Sequence, residues 1–102
     1  MLVSLDEDLF KGLYSLTRLN LSRNQLCGLQ PRSLRDLVNL KEIDLSHNLI
    51  VELTDDLFKG LVSIELIKVA NNQMTNVNAN IFQGLRSLRR ISLDDKLVHL
   101  LI

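Results

Sequence analysis

The feature that most constrains the fold is an internal repeat of 24 residues, which continues without insertion or deletion. Four similar stretches begin 24 residues apart: LTRLNLSRNQL at Leu16, LKEIDLSHNLI at Leu40, IELIKVANNQM at Ile64 and LRRISLDDKLV at Leu88. Other apolar columns keep the same register, among them Phe10, Leu34, Phe58 and Phe82. A unit this short cannot bury its apolar side alone, so the repeat predicts a stack of coils, a solenoid.

Within each unit, the apolar residues follow the period of a strand. Ile43 and Leu45 are two residues apart, with Asp44 between them, and this alternation is typical of a strand with one buried face. A helical interpretation also has support, because Leu34 and Leu37 begin a run spaced three apart. The helical interpretation does not explain the two-residue spacing of Ile43 and Leu45. All-helical repeats also usually need longer units. Each unit therefore predicts a short strand, a turn, and an irregular or short helical return.

The chain of 102 residues is long enough for one small domain. Its 46% hydrophobic and 24% charged residues argue against disorder. We expect a single solenoid domain over residues 1–102, made of a half repeat, three full repeats and a truncated terminal repeat. The boundaries are 1–15, 16–39, 40–63, 64–87 and 88–102.

An asparagine column marks the end of each predicted strand. Asn24, Asn48 and Asn72 share one position among apolar neighbours, and Lys96 takes that position in the last unit. A side-chain amide carries both donors and an acceptor, so it can satisfy backbone groups in its own coil and in the adjacent one. The column predicts a structural hydrogen-bonded ladder, and Lys96 predicts a looser or terminal coil.

These columns resemble the leucine-rich repeat pattern L-x-x-L-x-L-x-x-N-x-L. The 24-residue unit with phenylalanine in its return, as in LFKGL and IFQGL, resembles the subclass typical of extracellular receptors and matrix proteins, such as Toll-like receptors and small leucine-rich proteoglycans. The resemblance implies an α/β solenoid, a curved stack with a parallel sheet on its concave face. It also implies a module that binds a partner protein through that face, as a segment of a larger receptor or matrix-type protein. The alternative is a structural or self-associating segment whose exposed ends mediate assembly.

The sequence leaves the compartment open. Extracellular members of this group usually carry cysteine-rich caps, whereas Cys27 is the only cysteine here. The N-terminus has no basic start and no clean apolar core, so we expect no signal peptide. The chain is then either a segment of a longer protein or an uncapped relative. The parent protein is expected to be extracellular or at the cell surface, with the cytoplasm as the alternative.

The side chains between the core leucines are expected to line the concave face. The predicted partner-binding residues are Arg18, Glu42, Asp44, His47, Leu66, Lys68 and Arg90. Opposite charges alternate down three columns: Lys41, Glu65 and Arg89; Arg18 and Glu42; and Asp44 and Lys68. They indicate either lateral ion pairs that favour stacking or a mixed-charge binding surface. Leu66 is the apolar exception, and it serves either as a partner contact or as a space filler.

Other functions lack the residues they require. Neither His47 nor Cys27 has a partner group at catalytic spacing, and no acidic run has the spacing of a calcium loop, so we predict no catalytic, cofactor or metal site. Zero net charge and the absence of a long apolar run argue against nucleic acid and against membrane insertion. Lys11, Arg35 and Lys59 are expected to form a solvated stripe.

Two smaller features carry expectations of their own. Arg32 lies between Asp8 and Asp56 in its column and predicts a charge pairing there, while the glycosylation triplet at Asn20 is expected to be unused. In the C-terminal KLVHLLI, Val98 and Leu101 keep core columns. The residues without a column are Leu97, Leu100 and Ile102. We expect a homo-oligomer to form through this end, because an unpaired last strand invites pairing.

Overall fold

A computed structural model describes residues 2–98 and 100. In this part of the chain, four strands form one parallel sheet in the order of the sequence. They are β1 (Arg18–Asn20), β2 (Glu42–Asp44), β3 (Leu66–Lys68) and β4 (Arg90–Ser92). The returns are irregular except for a 3₁₀ helix (Ala79–Phe82) and a single turn, α1 (Asp95–Val98). The predicted solenoid with a parallel sheet and irregular or short helical returns is confirmed.

The strands pair in the register of the repeat. The central residues of β1 to β4 align across the sheet in the order Leu19, Ile43, Ile67 and Ile91. The backbone N–H of Lys41 donates to the Thr17 carbonyl at 2.7 Å, and that of Glu65 donates to the Lys41 carbonyl at 2.8 Å. Because successive strands are offset by a whole repeat, equivalent positions form straight rows across the sheet.

One apolar core runs through the stack behind the sheet. Ile43 and Ile67 are almost fully buried, whereas Leu19 and Ile91 are half-buried, because they lie on the two edge strands of the described sheet. In the returns, the rings of Phe58 and Phe82 stack with centroids 6.4 Å apart. The core is therefore most complete in the two central repeats, where each coil packs against a neighbour on both sides.

Three returns have a glycine at one column position, where the second repeat has Asp36. Gly12, Gly60 and Gly84 have φ values of 80°, 85° and 81°, which residues with a Cβ rarely adopt. Asp36 occupies the equivalent position in the second coil, and its Oδ2 accepts a hydrogen bond from the Gly12 N–H at 2.9 Å. The carboxylate thus ties this return to the preceding coil.

Asn48 has hydrogen-bond partners on every side. Its Oδ1 accepts from the Leu26 N–H at 3.1 Å. Its Nδ2 donates to the carbonyls of Leu21, Leu45 and Ser46 at 3.0, 3.1 and 3.2 Å. Only 4% of the residue is exposed. One side chain therefore satisfies backbone groups of two successive coils.

The other two ladder asparagines make the same kind of contact. Asn72 Oδ1 accepts from the Ile50 N–H at 3.0 Å, and its Nδ2 donates to the Leu45 carbonyl at 3.0 Å. Asn24 Oδ1 accepts from the Leu2 N–H at 2.8 Å. Each amide reaches back to the preceding coil, so the column runs along the described stack.

The C-terminal coil differs from the sequence prediction. Val98 was expected in a core column, but it is 43% exposed, while Leu97 is only 2% exposed. Leu100 also packs against the core. Because Lys96 cannot make the amide contacts of the ladder, the chain turns into α1, which brings Leu97 inward. The prediction that Val98 lies in the core, and that Leu97 and Leu100 do not, is therefore wrong. His99, Leu101 and Ile102 lie outside the described residues.

Asp94 replaces a backbone acceptor in this last coil. Its Oδ1 accepts from the Asn71 N–H at 2.9 Å. In the earlier coils a backbone carbonyl accepts the equivalent bond: that of Ser46 from the Arg23 N–H at 3.0 Å, and that of Ala70 from the His47 N–H at 3.2 Å. The carboxylate closes the turn where the chain leaves the repeat pattern.

Candidate functional site

The outward-facing side chains of β1 to β4, called the sheet face below, form two rows. The first row crosses the first residue of each strand and contains Arg18, Glu42, Leu66 and Arg90. The second row crosses the last residue of each strand and contains Asn20, Asp44, Lys68 and Ser92. The structure therefore brings together all of the predicted partner-binding residues except His47.

A shallow depression of about 270 Å³ occupies the N-terminal part of the sheet face. Its lining residues are Arg18, Leu19, Asn20, Glu42, Ile43, Asp44, Leu66 and Lys68. Leu66 is half-buried and stands between the acidic side chains of β2 and the basic side chain of Arg90. The arrangement offers a small apolar contact with charged groups around it.

One ion pair joins β1 to β2 in the first row. Arg18 Nη2 lies 3.3 Å from Glu42 Oε1, with the two side chains 76% and 40% exposed. Exposed pairs of this kind contribute about 0.2–1 kcal/mol. No other ion pair within 4.0 Å is found on the sheet face in the described part of the chain. Of the charge columns, lateral ion pairing is therefore found only between Arg18 and Glu42 among the described residues. The neighbours Lys41–Glu65, Glu65–Arg89 and Asp44–Lys68 form no ion pair.

Asp44 is positioned by the turn that follows β2. Its Oδ1 accepts from the Ser46 N–H at 3.0 Å and from the Ser46 hydroxyl at 2.6 Å. Asn20 makes the same two contacts with Ser22 at 2.9 and 2.6 Å. Such short side-chain turns are a common property of Asp and Asn. They fix both side chains at the edge of the depression, and Asn20, which was not among the predicted binding residues, is part of its lining.

His47 lies apart from the two rows. It follows β2 in a turn with a φ of 57°, and its Nε2 is 3.4 Å from the Asn71 Nδ2. The position of His47 between the core apolar residues of its repeat predicted a place on the sheet face, but β2 ends at Asp44. Beyond that residue the backbone leaves the strand conformation, so alternation no longer fixes where a side chain points.

The return side has its own ion pair. Arg35 Nη2 lies 2.9 Å from Asp8 Oδ1, and this hydrogen bond lowers the pKa of the Asp8 carboxyl. Arg35 also donates to the Arg32 carbonyl at 2.9 Å. The predicted pairing of Asp8 with Arg32 is therefore wrong, because Arg35 reaches across the coils instead. Part of the predicted basic stripe is thus neutralised within the protein.

Residues 2–98 and 100 contain neither a cluster of metal-ligating side chains nor a membrane-spanning helix. No group of three or more His, Cys, Asp or Glu side chains there is placed to hold a metal ion. No helix in the same residues is long and apolar enough to cross a membrane. Cys27 is a free, exposed thiol.

The sequence matches a known protein family over most of its length. The leucine rich repeat model matches residues 1–50 and 38–97. The chain belongs to the leucine-rich repeat family. No curated protein matches it in sequence.

Solved structures of leucine-rich repeat proteins show the same architecture. The structure of the Toll–Spatzle complex, from Drosophila, contains a chain that is 29% identical over 98% of this one, with a TM-score of 0.82. A glycosylated form of that complex matches 92% of this chain at 29% identity, with a TM-score of 0.81. The leucine-rich repeat domain of APL1B is 18% identical over 90% of this chain, with a TM-score of 0.84. This chain spans only 14% of the Toll-complex chain and 29% of the APL1B chain.

Proposed function

We propose that this leucine-rich repeat chain binds a partner protein through the sheet face, centred on Leu66, as part of a larger receptor or matrix-type protein. The observation that carries the proposal is the position of Leu66. It is half-buried in the middle of the first row, with Glu42 on one side and Arg90 on the other. An apolar side chain in such a position adds little to the core behind the sheet, so contact with a partner gives it a role.

The energetics of the sheet face favour this use. Interfaces concentrate their binding energy in a few central residues that are surrounded by weaker contacts which exclude water. The sheet is held by backbone hydrogen bonds between coils, such as the 2.9 Å bond from the Arg89 N–H to the Glu65 carbonyl. A rigid platform of this kind loses little conformational entropy on binding. The platform itself therefore adds little ordering cost to the free energy of binding.

The similarity to the Toll chain supports a protein as the partner. That chain was solved in a complex with Spatzle. The same type of coil stack thus occurs in another protein that binds a partner. We also propose that the parent protein is extracellular or at the cell surface, because the sequence resembles receptors and matrix proteins.

A second candidate function is assembly through the C-terminal end. β4 pairs with β3 on one side only among the described strands, and an open strand edge is a template for pairing. Val98 adds an exposed apolar side chain at the same end. A homo-oligomer formed there would leave the sheet face free, so the two functions are compatible.

Site-specific photo-cross-linking tests the primary proposal. A photoreactive amino acid replaces Ser92 on the sheet face in one variant and Lys59 on the return side in another. Both residues are exposed, so neither replacement should disturb the core. In cells that make the protein, we expect the Ser92 variant to capture a partner protein and the Lys59 variant not to capture it. The reverse result would move the binding surface to the return side.

A further inference from the structure

We propose that the segment recognised by the sheet face is an amphipathic α-helix that lies across the strands. The helix presents a basic, an apolar and an acidic side chain in that order, from β2 to β4. This inference rests on the proposed function and adds the class of the partner segment to it.

The order of chemical groups across the sheet face supports the order in the helix. β2 contributes Glu42 and Asp44, β3 contributes Leu66 and Lys68, and β4 contributes Arg90. The first row therefore changes from acidic (Glu42) through apolar (Leu66) to basic (Arg90) over three successive coils, while the second row changes from acidic (Asp44) to basic (Lys68). A complementary partner needs the opposite order, because like charges brought together across an interface cost affinity.

The charges that would meet the partner are mostly uncompensated. Arg18 partly neutralises Glu42 from a distance of 3.3 Å. In the described residues, Asp44 has no cation within 4.0 Å, and neither Lys68 nor Arg90 has a carboxylate within that distance. Basic and acidic partner groups can therefore pair with Asp44, Lys68 and Arg90 without first breaking an internal ion pair.

The spacing of the coils selects a helix over an extended peptide. Neighbouring parallel strands lie about 4.8 Å apart, so β2 and β4 are separated by roughly 9.6 Å. Along a helix, residues i, i+3 or i+4, and i+7 share one face. With a rise of 1.5 Å per residue they lie about 0, 5 and 10.5 Å along the axis. An extended peptide places side chains on one face only about every 6.6 Å, so it loses register by the third coil.

The width of the face also suits one helix. A strand of three residues is about 10 Å long, close to the 10–12 Å diameter of a helix with its side chains. The polar residues Asn20 and Ser92 stand at the two ends of the second row. They suit the polar margin that surrounds the central contact of an interface.

The helix dipole adds a direction. The N-terminus of a helix carries partial positive charge, and its C-terminus carries partial negative charge. Both ends are best placed with the N-terminus near the acidic β2 and the C-terminus near Arg90 on β4. The basic residue then precedes the apolar one in the sequence of the helix, and the acidic residue comes last.

Selection from two displayed peptide libraries tests the inference on the intact chain. One library holds helical peptides randomised at positions i, i+4 and i+7, and the other holds extended peptides kept from forming a helix by proline. We expect binders from the helical library with Lys or Arg first, an aliphatic residue in the middle and Asp or Glu last. Their affinity should fall about tenfold or more for Leu66→Asp, which places a charge at the apolar centre.

A charge exchange checks the order directly. Arg90→Glu should weaken the selected helical peptides, and a peptide with Lys in place of its last acidic residue should recover the lost affinity. Asp44→Asn removes charge alone, because the Asn20 amide makes equivalent turn contacts in the preceding coil; it should weaken binding several-fold at low salt. Asp56→Asn on the return side is the matched control, and we expect no change from it.

Each remaining outcome decides against the inference. Helical binders with the reverse charge order, or binders insensitive to Arg90→Glu, contradict it, as does failure of the helical library to yield a binder. Extended peptides that bind and are sensitive to Leu66→Asp would overturn the helix while leaving the proposed sheet-face function in place. Binders from either library that tolerate Leu66→Asp would contradict both proposals.

Discussion

Replacing Asn48 by alanine isolates the contribution of the asparagine ladder. The substitution removes one acceptor and three donor contacts, but most of the groups left behind keep another partner. The Leu21 carbonyl still accepts from Asn24 Nδ2 at 2.9 Å, and the Leu45 carbonyl still accepts from Asn72 Nδ2 at 3.0 Å. The Ser46 carbonyl keeps the backbone N–H of Arg23 at 3.0 Å. The Leu26 N–H alone loses its only described partner.

The expected loss of stability follows from that single group. A buried donor left without an acceptor costs about 1–3 kcal/mol, and Leu26 is fully buried. Asn72→Ala strands the Ile50 N–H in the same way and also removes the only described partner of the Val69 carbonyl. Asn72 is, however, only half-buried. Water can reach that site more easily, so Asn72→Ala should cost less than Asn48→Ala.

Urea unfolding followed by circular dichroism measures both losses. At an unchanged m-value, the shift of the midpoint converts directly into a change in the free energy of unfolding. Asn39→Ala is the matched control, because the exposed Asn39 donates one hydrogen bond to the Tyr14 carbonyl; its effect should stay within about 0.5 kcal/mol. Equal and near-zero shifts for Asn48→Ala and Asn72→Ala would refute the ladder.

Three further predictions concern the returns and the C-terminal end. Thr54 Oγ1 is buried without a partner, whereas Asp6 and Asn78 in the same column accept from the N–H two residues on at 2.8 and 3.0 Å. Thr54→Asn should therefore raise the free energy of unfolding by about 0.5–1 kcal/mol in urea, and a decrease would show that the amide does not fit. The Arg35 hydrogen bond lowers the pKa of Asp8 from its ordinary value of 3.8, so the pairing stabilises the fold above that pH and is lost as the pH falls through the folded-state pKa. Asp8→Asn should accordingly flatten the acid loss of stability below pH 3.8; an unchanged slope in acid titrations would count against the pairing. For the C-terminal end, light scattering should show concentration-dependent association that Val98→Asp and Ile102→Asp weaken, and a monomer at high concentration would exclude it.

The repeat architecture could be predicted because every unit obeys the same local rules. A strand with one inward residue, a turn and a return recur at the same spacing, so each copy supports the interpretation of the others. The alignment of Glu42, Leu66 and Arg90 in one row follows from that spacing alone. Parallel pairing at a constant offset leaves no freedom in which columns become neighbours.

Contacts that depend on side-chain conformation could not be predicted in this way. Asp8 pairs with Arg35, three residues from the expected Arg32, because a long guanidinium side chain reaches beyond its own column. The predicted pairing of Asp44 with Lys68 fails although the two residues are neighbours in the register, since exposed pairs gain too little to fix both side chains. The repeat spacing predicts which Cα atoms are neighbours across the sheet, but not the direction in which a flexible side chain points.

The structure of the last coil could not be predicted, for a different reason. Lys96 was recognised as the break in the ladder, but the shape of the broken turn depends on contacts that the repeat does not specify. Asp94 supplies the missing acceptor for Asn71, and α1 places Leu97 in the core instead of Val98. Once the repeat ends, its periodicity no longer predicts which residues are buried.

The most direct test of the proposed function compares two aspartate substitutions in the affinity for a captured partner. Leu66→Asp alters the centre of the sheet face, and Val62→Asp places the same charge four residues earlier, in the return of the preceding repeat, at a residue that is 52% exposed outside β3. Both variants need matching urea midpoints. We predict that Leu66→Asp costs more than about 2 kcal/mol, or roughly 30-fold in Kd, while Val62→Asp leaves the affinity nearly unchanged. Unchanged affinity for Leu66→Asp, with a loss for Val62→Asp or for changes at Lys11 and Lys59, would contradict binding through the sheet face.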